Sequence, residues 1–171
     1  MSYFVRKINR AKWNETEALK DETDINKLNA DYLATCLRTQ QGVISLWKID
    51  DLSEIKDVAV AICSVGEHID KVDFVLLDDK ELQSIGIIPQ NEPEGTSKIK
   101  EKHYKVENLN YKKIGSLACL ILDTINNKEN GYIRIKSPEV KQLLLEAIKN
   151  TELKLPLDEQ LMTELGITYN I

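Results

Sequence analysis

The chain lacks any apolar stretch near the ~18 residues that a membrane-spanning helix needs. Its opening, MSYFVRKINRAKWNETE, has no apolar run of the kind that marks a secretory signal. A soluble cytoplasmic protein with no membrane attachment is therefore expected. Cysteine is scarce: Cys36, Cys63 and Cys119 are odd in number, far apart and set among apolar neighbours. That excludes a disulfide scaffold and predicts buried free thiols in a reducing compartment. Charge of one sign is nearly absent, since the formal net charge is -5 over 171 residues. No field of the whole molecule would draw it to DNA or to an anionic membrane, so any nucleic-acid site must be local.

Chemical motifs are missing too. No glycine-rich dinucleotide fingerprint follows a predicted strand, and no nucleophile elbow is present. Gly95-Thr96-Ser97-Lys98 lacks the leading glycine, the Gly-Lys pair and the preceding strand of a phosphate loop. Cys63 lies on the apolar side of a predicted helix without a basic neighbour to activate it. No cofactor is implied, and no segment carries a motif specific enough to name a family.

What is present is architectural. Hydrophobic residues make up 42% and charged residues 30%, enough apolar surface to offset the entropy cost of folding one domain over 1–171. Residues 2–8 alternate in the period of a strand, whose charges suit an edge or near-edge position. Residues 10–29 read as an irregular connection and 31–38 as a short helix. Val43 to Ile49 is a predicted strand, Leu52 to Val65 a helix entered through Asp51 and Glu54, and Val72 to Leu77 a second strand. Strand, helix and strand within about 35 residues predict a βαβ unit with the two strands adjacent and parallel.

After it come a short helix at 79–85, a polar loop around 89–103 read as mobile surface, and a long helix through 109–125. A strand at 132–136 is followed by a helix that Ser137 would cap with Pro138 at its first position, and by a last helix at 158–165. The expectation is an α/β (or α+β) domain with a small mixed sheet of about four strands, a central βαβ unit, helices packed on it and a helical C-terminus.

Four groups of residues invite a functional reading. Asp50, Asp51, Asp78 and Asp79, with Asp73 nearby in sequence, would emerge at the carboxyl ends of the two parallel strands and could hold a divalent metal; Asp51 and Asp79 are equally well explained as helix N-caps. Lys98, Lys100, Lys102, His103, Tyr104, Lys105, Lys112 and Lys113 interleave amines with rings, as an anion or single-stranded nucleic-acid surface would require. Arginine, which supplies bidentate contacts, is absent from that segment. His68, between Glu67 and Asp70, reads as a turn histidine whose pKa a carboxylate could raise. Trp13, set in a polar stretch, reads first as core and second as an anchor for a partner.

The leading expectation is a non-catalytic protein-binding or accessory subunit of a larger bacterial-type cytoplasmic assembly, with another protein as partner. A metal-assisted enzyme acting on a phosphate-containing substrate is the first alternative, and a nucleic-acid-binding module using Lys98–Lys113 the second.

Overall fold

The computed structural model of the chain describes residues 2–13, 35–39, 42–95, 97–153 and 155–167. The expected helix at 31–38 and connection at 10–29 fall mostly outside the described residues; what is described of the latter is a 3-10 turn at Arg10–Trp13.

Six strands form one sheet: β1 (Tyr3–Ile8), β2 (Ile44–Ile49), β3 (Val72–Asp78), β4 (Gln90–Asn91), β5 (His103–Val106) and β6 (Tyr132–Ile135). Their order is β4-β5-β2-β1-β3-β6, and every neighbouring pair is antiparallel. The mixed α/β class expected from the sequence holds, but the sheet is larger and the unit at 43–77 differs from expectation. Strands β2 and β3 are parallel to each other only because both run antiparallel to β1, which lies between them. Helix α1 (Ile55–Cys63) therefore crosses two strand spacings, roughly 9–10 Å.

The expected edge position of β1 is corrected by the same finding, and Arg6 supplies the physical reason. Its guanidinium is folded inward, with Nη1 donating to the Ser45 carbonyl and Nη2 to the Cys36 carbonyl, each at 2.9 Å. A cation that finds acceptors inside the layer can sit on a central strand. Burial still lowers its pKa.

Alternation along the strands gives the sheet two buried faces. On one, Val5, Trp47, Ile49, Val72, Phe74, Leu76 and Ile135 pack under α1, α4 (Ser137–Lys149) and α5 (Glu159–Leu165). On the other, Phe4, Ile8, Ile44, Leu46, Val75, Leu77 and Val106 pack under α3 (Tyr111–Asn127), with Leu82 of α2 (Asp79–Ser84) and Ile87 beside them. Helices thus cover both faces of an antiparallel sheet.

Local chemistry fixes the ends of these elements. The Asp51 carboxylate accepts from the Ser53 amide at 2.8 Å, and Glu54 turns back to the Asp50 amide at 2.8 Å, a capping box shifted by one residue from its usual partner. Asp78 rather than Asp79 caps α2, accepting from the Lys80 amide at 2.8 Å. Helix α4 begins at Ser137 itself, with Lys136 in the cap position, so the expected serine cap is one residue out. Asp158 caps α5, and Gly166, at φ +78°, ends it in the left-handed conformation that glycine adopts without strain. Gly131 is needed for a different reason, because a Cβ there would overlap the Thr124 carbonyl oxygen where the chain leaves α3 for β6.

The 89–103 segment, expected as surface loop, contains β4 and a 3-10 turn at Lys100–Lys102, and it buries Ile99 against α1 and its neighbours. No helix among the described residues is long and apolar enough to cross a membrane.

Candidate functional site

The four candidate metal ligands sit at one end of the sheet, on either side of the start of β1, where Tyr3 is opposite both Ile49 and Asp78. Each strand end uses its acids locally. Asp50 accepts from Lys102 Nζ at 2.9 Å, Asp51 and Asp78 cap helices, and Asp79 occupies the first turn of α2. The hydrogen bond from Lys102 holds the Asp50 carboxyl below its usual range, and the bond from Ser53 does the same for Asp51. Among the described residues, no three His, Cys, Asp or Glu side chains come together as a metal would require.

The lysine segment divides in the same way. Lys98 pairs with Asp57 at 3.0 Å and Glu152 at 3.4 Å, Lys102 with Glu54 at 2.6 Å, and Lys105 with Glu92 at 2.6 Å and Glu94 at 3.3 Å. Lys100 lies 3.9 Å from Glu101. His103 is buried on β5, its Nδ1 2.7 Å from the Glu92 carbonyl oxygen and its ring 4.9 Å from that of Trp47. Tyr104 stands edge-on to Phe4. Lys112 and Lys113 belong to another element, the first turn of α3. An amine already matched to a carboxylate releases little on meeting a phosphate.

Trp13 is fully buried, which places it in the core and away from any surface contact. Its indole N–H donates to Cys36 Sγ at 3.1 Å, as does the Asn9 amide at 3.1 Å. Cys36 and Cys63 are buried and free, as expected, and Cys119 is half-buried and free. Burial pushes the Cys63 and Cys119 thiols up, away from reactive thiolate. His68 is 50% exposed and meets Glu164 of α5, Nδ1 to Oε1 at 2.8 Å, while the other Glu164 oxygen accepts from the Ile69 amide at 2.7 Å. The Glu164 bond raises the His68 pKa, with Asp70 and Glu67 adding to it.

The cluster that the sequence did not single out lies at the other edge of the sheet. Asp73 points to the α3 side of β3, where its side chain is 5% exposed. Arg134, directly opposite on β6, donates Nε to Oδ1 at 2.6 Å and Nη2 to Oδ2 at 3.1 Å. The Tyr132 hydroxyl donates to Oδ1 at 2.6 Å, and the Arg10 amide reaches Oδ2 at 3.4 Å. Burial pushes the Asp73 carboxyl up, but the bonds from Arg134 and Tyr132 outweigh it and hold the group below the usual carboxylate range. Tyr132 is pushed up to about 12 by burial and by its bond to Asp73. The Arg10 and Arg134 guanidinium carbons lie 5.6 and 5.9 Å from the Tyr132 ring centre.

This cluster anchors β6, the outermost strand on that side. The Leu76 amide donates to the Gly131 carbonyl at 3.0 Å, so Gly131, Ile133 and Ile135 turn their backbone groups toward β3. Tyr132 and Arg134 therefore turn theirs outward, where no partner exists among the described residues. At the far edge the situation differs: β4 is two residues long and lies between Pro89 and Pro93, a short and proline-flanked edge that resists further pairing. An open groove of about 300 Å³ runs along α4 between Pro138, Lys141, Leu145 and Lys149. It is lined by that one helix.

Comparison with protein-family models, with curated proteins and with solved structures finds no match for this chain.

Proposed function

We propose that the chain is a non-catalytic protein-binding module, an accessory part of a larger cytoplasmic assembly, and that it binds through the edge of its sheet. The observation that carries this reading is the asymmetry between the two edges. Strand β4 is short, polar and flanked by proline, whereas β6 offers an outward row of backbone donors and acceptors held rigid by Asp73. Open edges are templates for another strand, and proteins that do not use them cover or interrupt them. Half-buried Tyr132 and Ile133 add ring and aliphatic surface to the hydrogen-bonding row.

The test is the state of the chain in its own cells. Gentle extraction and gel filtration, followed by quantitative mass spectrometry, should find it co-eluting with a partner protein at a fixed stoichiometry. Elution as a free 19.5 kDa chain under those conditions would overturn the reading.

A further inference from the structure

We infer that the β6 edge takes an extended acidic segment of another protein, one that alternates carboxylate and apolar side chains and adds as an antiparallel seventh strand. This rests on the protein-binding reading above and specifies its partner's chemistry.

The geometry of β6 dictates the pattern. An incoming strand would exchange hydrogen bonds with Tyr132 and Arg134, and its residues opposite these two would project to the same side of the sheet as their side chains. On that side stand the Arg134 guanidinium, 40% exposed, and the Arg10 guanidinium against the Tyr132 ring. Lys136 continues the alternation one step further, exposed. Asp73 is buried and already accepts four N–H or O–H bonds, so the outer charge on this side is positive. Of the other acids near in sequence, Glu129 lies in the turn before β6 and Glu139 is 3.7 Å from Lys56. The incoming residue opposite Ile133 would project to the other side of the sheet, where Ile133 packs against the buried cluster containing Ile135, Val140 and Leu144. Carboxylate, apolar, carboxylate is the sequence that satisfies all three positions.

A second copy of this chain satisfies them less well. The fullest antiparallel self-pairing of β6 is centred on Arg134 and would set two Arg134 side chains directly opposite one another, a like-charge pair that opposes association.

The experiment uses the whole chain and a fluorescein-labelled ten-residue peptide alternating glutamate and valine, followed by anisotropy. Its control is the same peptide with lysine in place of glutamate. The acidic peptide should bind at least ten-fold more tightly than the control, and amide exchange should slow at Tyr132 and Arg134 but not at Ile133, whose amide already faces β3. Tyr132→Pro removes one outward donor without breaking the β3 ladder and should weaken binding about ten-fold. Should that variant unfold, Lys136→Pro tests the same edge, since φ at Lys136 is -77° and suits proline.

Equal binding of the two peptides, no binding of either, or protection elsewhere in the sheet would overturn the inference. So would a concentration-dependent dimer by sedimentation that Tyr132→Pro abolishes, because the edge would then belong to a second copy. A native partner that co-elutes equally with wild type and Tyr132→Pro would leave the binding role standing while removing the edge from it.

Discussion

Replacing Asp73 by alanine removes the acceptor at which the β1, β3 and β6 ends of the sheet meet. The loss can be sized from its partners. The Tyr132 hydroxyl donates at 2.6 Å to a carboxylate whose side chain is 5% exposed, and a hydrogen bond to a charged group in such a setting contributes about 2 kcal/mol. The Arg134 pair is left out of that figure, because its guanidinium is 40% exposed and solvent screens it. For a chain of this length ~2 kcal/mol corresponds to a fall in Tm of roughly 4–8 °C. Asp73→Asn keeps an acceptor for Tyr132 and should lose about half as much.

The effect should also depend on pH in one direction. The folded Asp73 carboxyl titrates below its ordinary value of 3.8, so its contribution is fully present above that value and is lost as pH falls through the lower folded pKa. Urea unfolding of wild type and Asp73→Ala from pH 7 down to pH 3 should therefore show a constant gap that narrows only at the acid end. An Asp73→Ala variant within 0.5 kcal/mol of wild type, or a gap that widens on acidification from pH 7 to 4, would refute the reasoning.

Three further outcomes follow from the same structure. The buried Cys36 and Cys63 thiols should resist an aromatic disulfide reagent in the native chain and react at the rate of unfolding, whereas immediate reaction at Cys36 would show that its site is open. Because Glu164 raises the His68 pKa, the clasp between His68 and α5 should stabilise the chain fully below about pH 6.5 and fade as pH rises through the higher folded value; the Tm gap between wild type and His68→Gln should shrink from pH 5.5 to 9, and the reverse slope would contradict it. Gly131→Ala must push Thr124 and the end of α3 away from β6, costing about 1–3 kcal/mol, and unchanged thermal stability would mean that the turn yields freely.

The helices were legible because each carries its own signals within a few residues: Asn110 before α3, Asp158 and Gly166 around α5, and the apolar stripe Val58, Ala59 and Ile62 along α1. Strands β2 and β3 were legible as apolar runs, but their adjacency was not, because pairing is non-local and β1 had to be placed between them. Strand β5 escaped notice for a simpler reason. Its four residues, His103 to Val106, bury one polar ring and one aliphatic side chain and sit in a lysine-rich stretch that reads as surface. The Asp73 cluster did leave a trace in the sequence. VDFVLLD and YIRI each hold one charge inside an apolar strand, of opposite sign, and two such charges on neighbouring strands are expected to meet. Their partnership spans 61 residues, so no local pattern could announce it. The acids at the other end of the sheet looked more promising only because they were neighbours in sequence.

The placement of β1 has a consequence for how the molecule assembles. The strand at residues 3–8 is synthesised before either of its neighbours, yet it fills the gap between them, so the halves β4-β5-β2 and β3-β6 share no ladder until it docks. It works as a keystone supplied first and set last. A chain beginning at Gly42 should hold two half-sheets that do not close, and a separate peptide of residues 2–13 should complete them in trans.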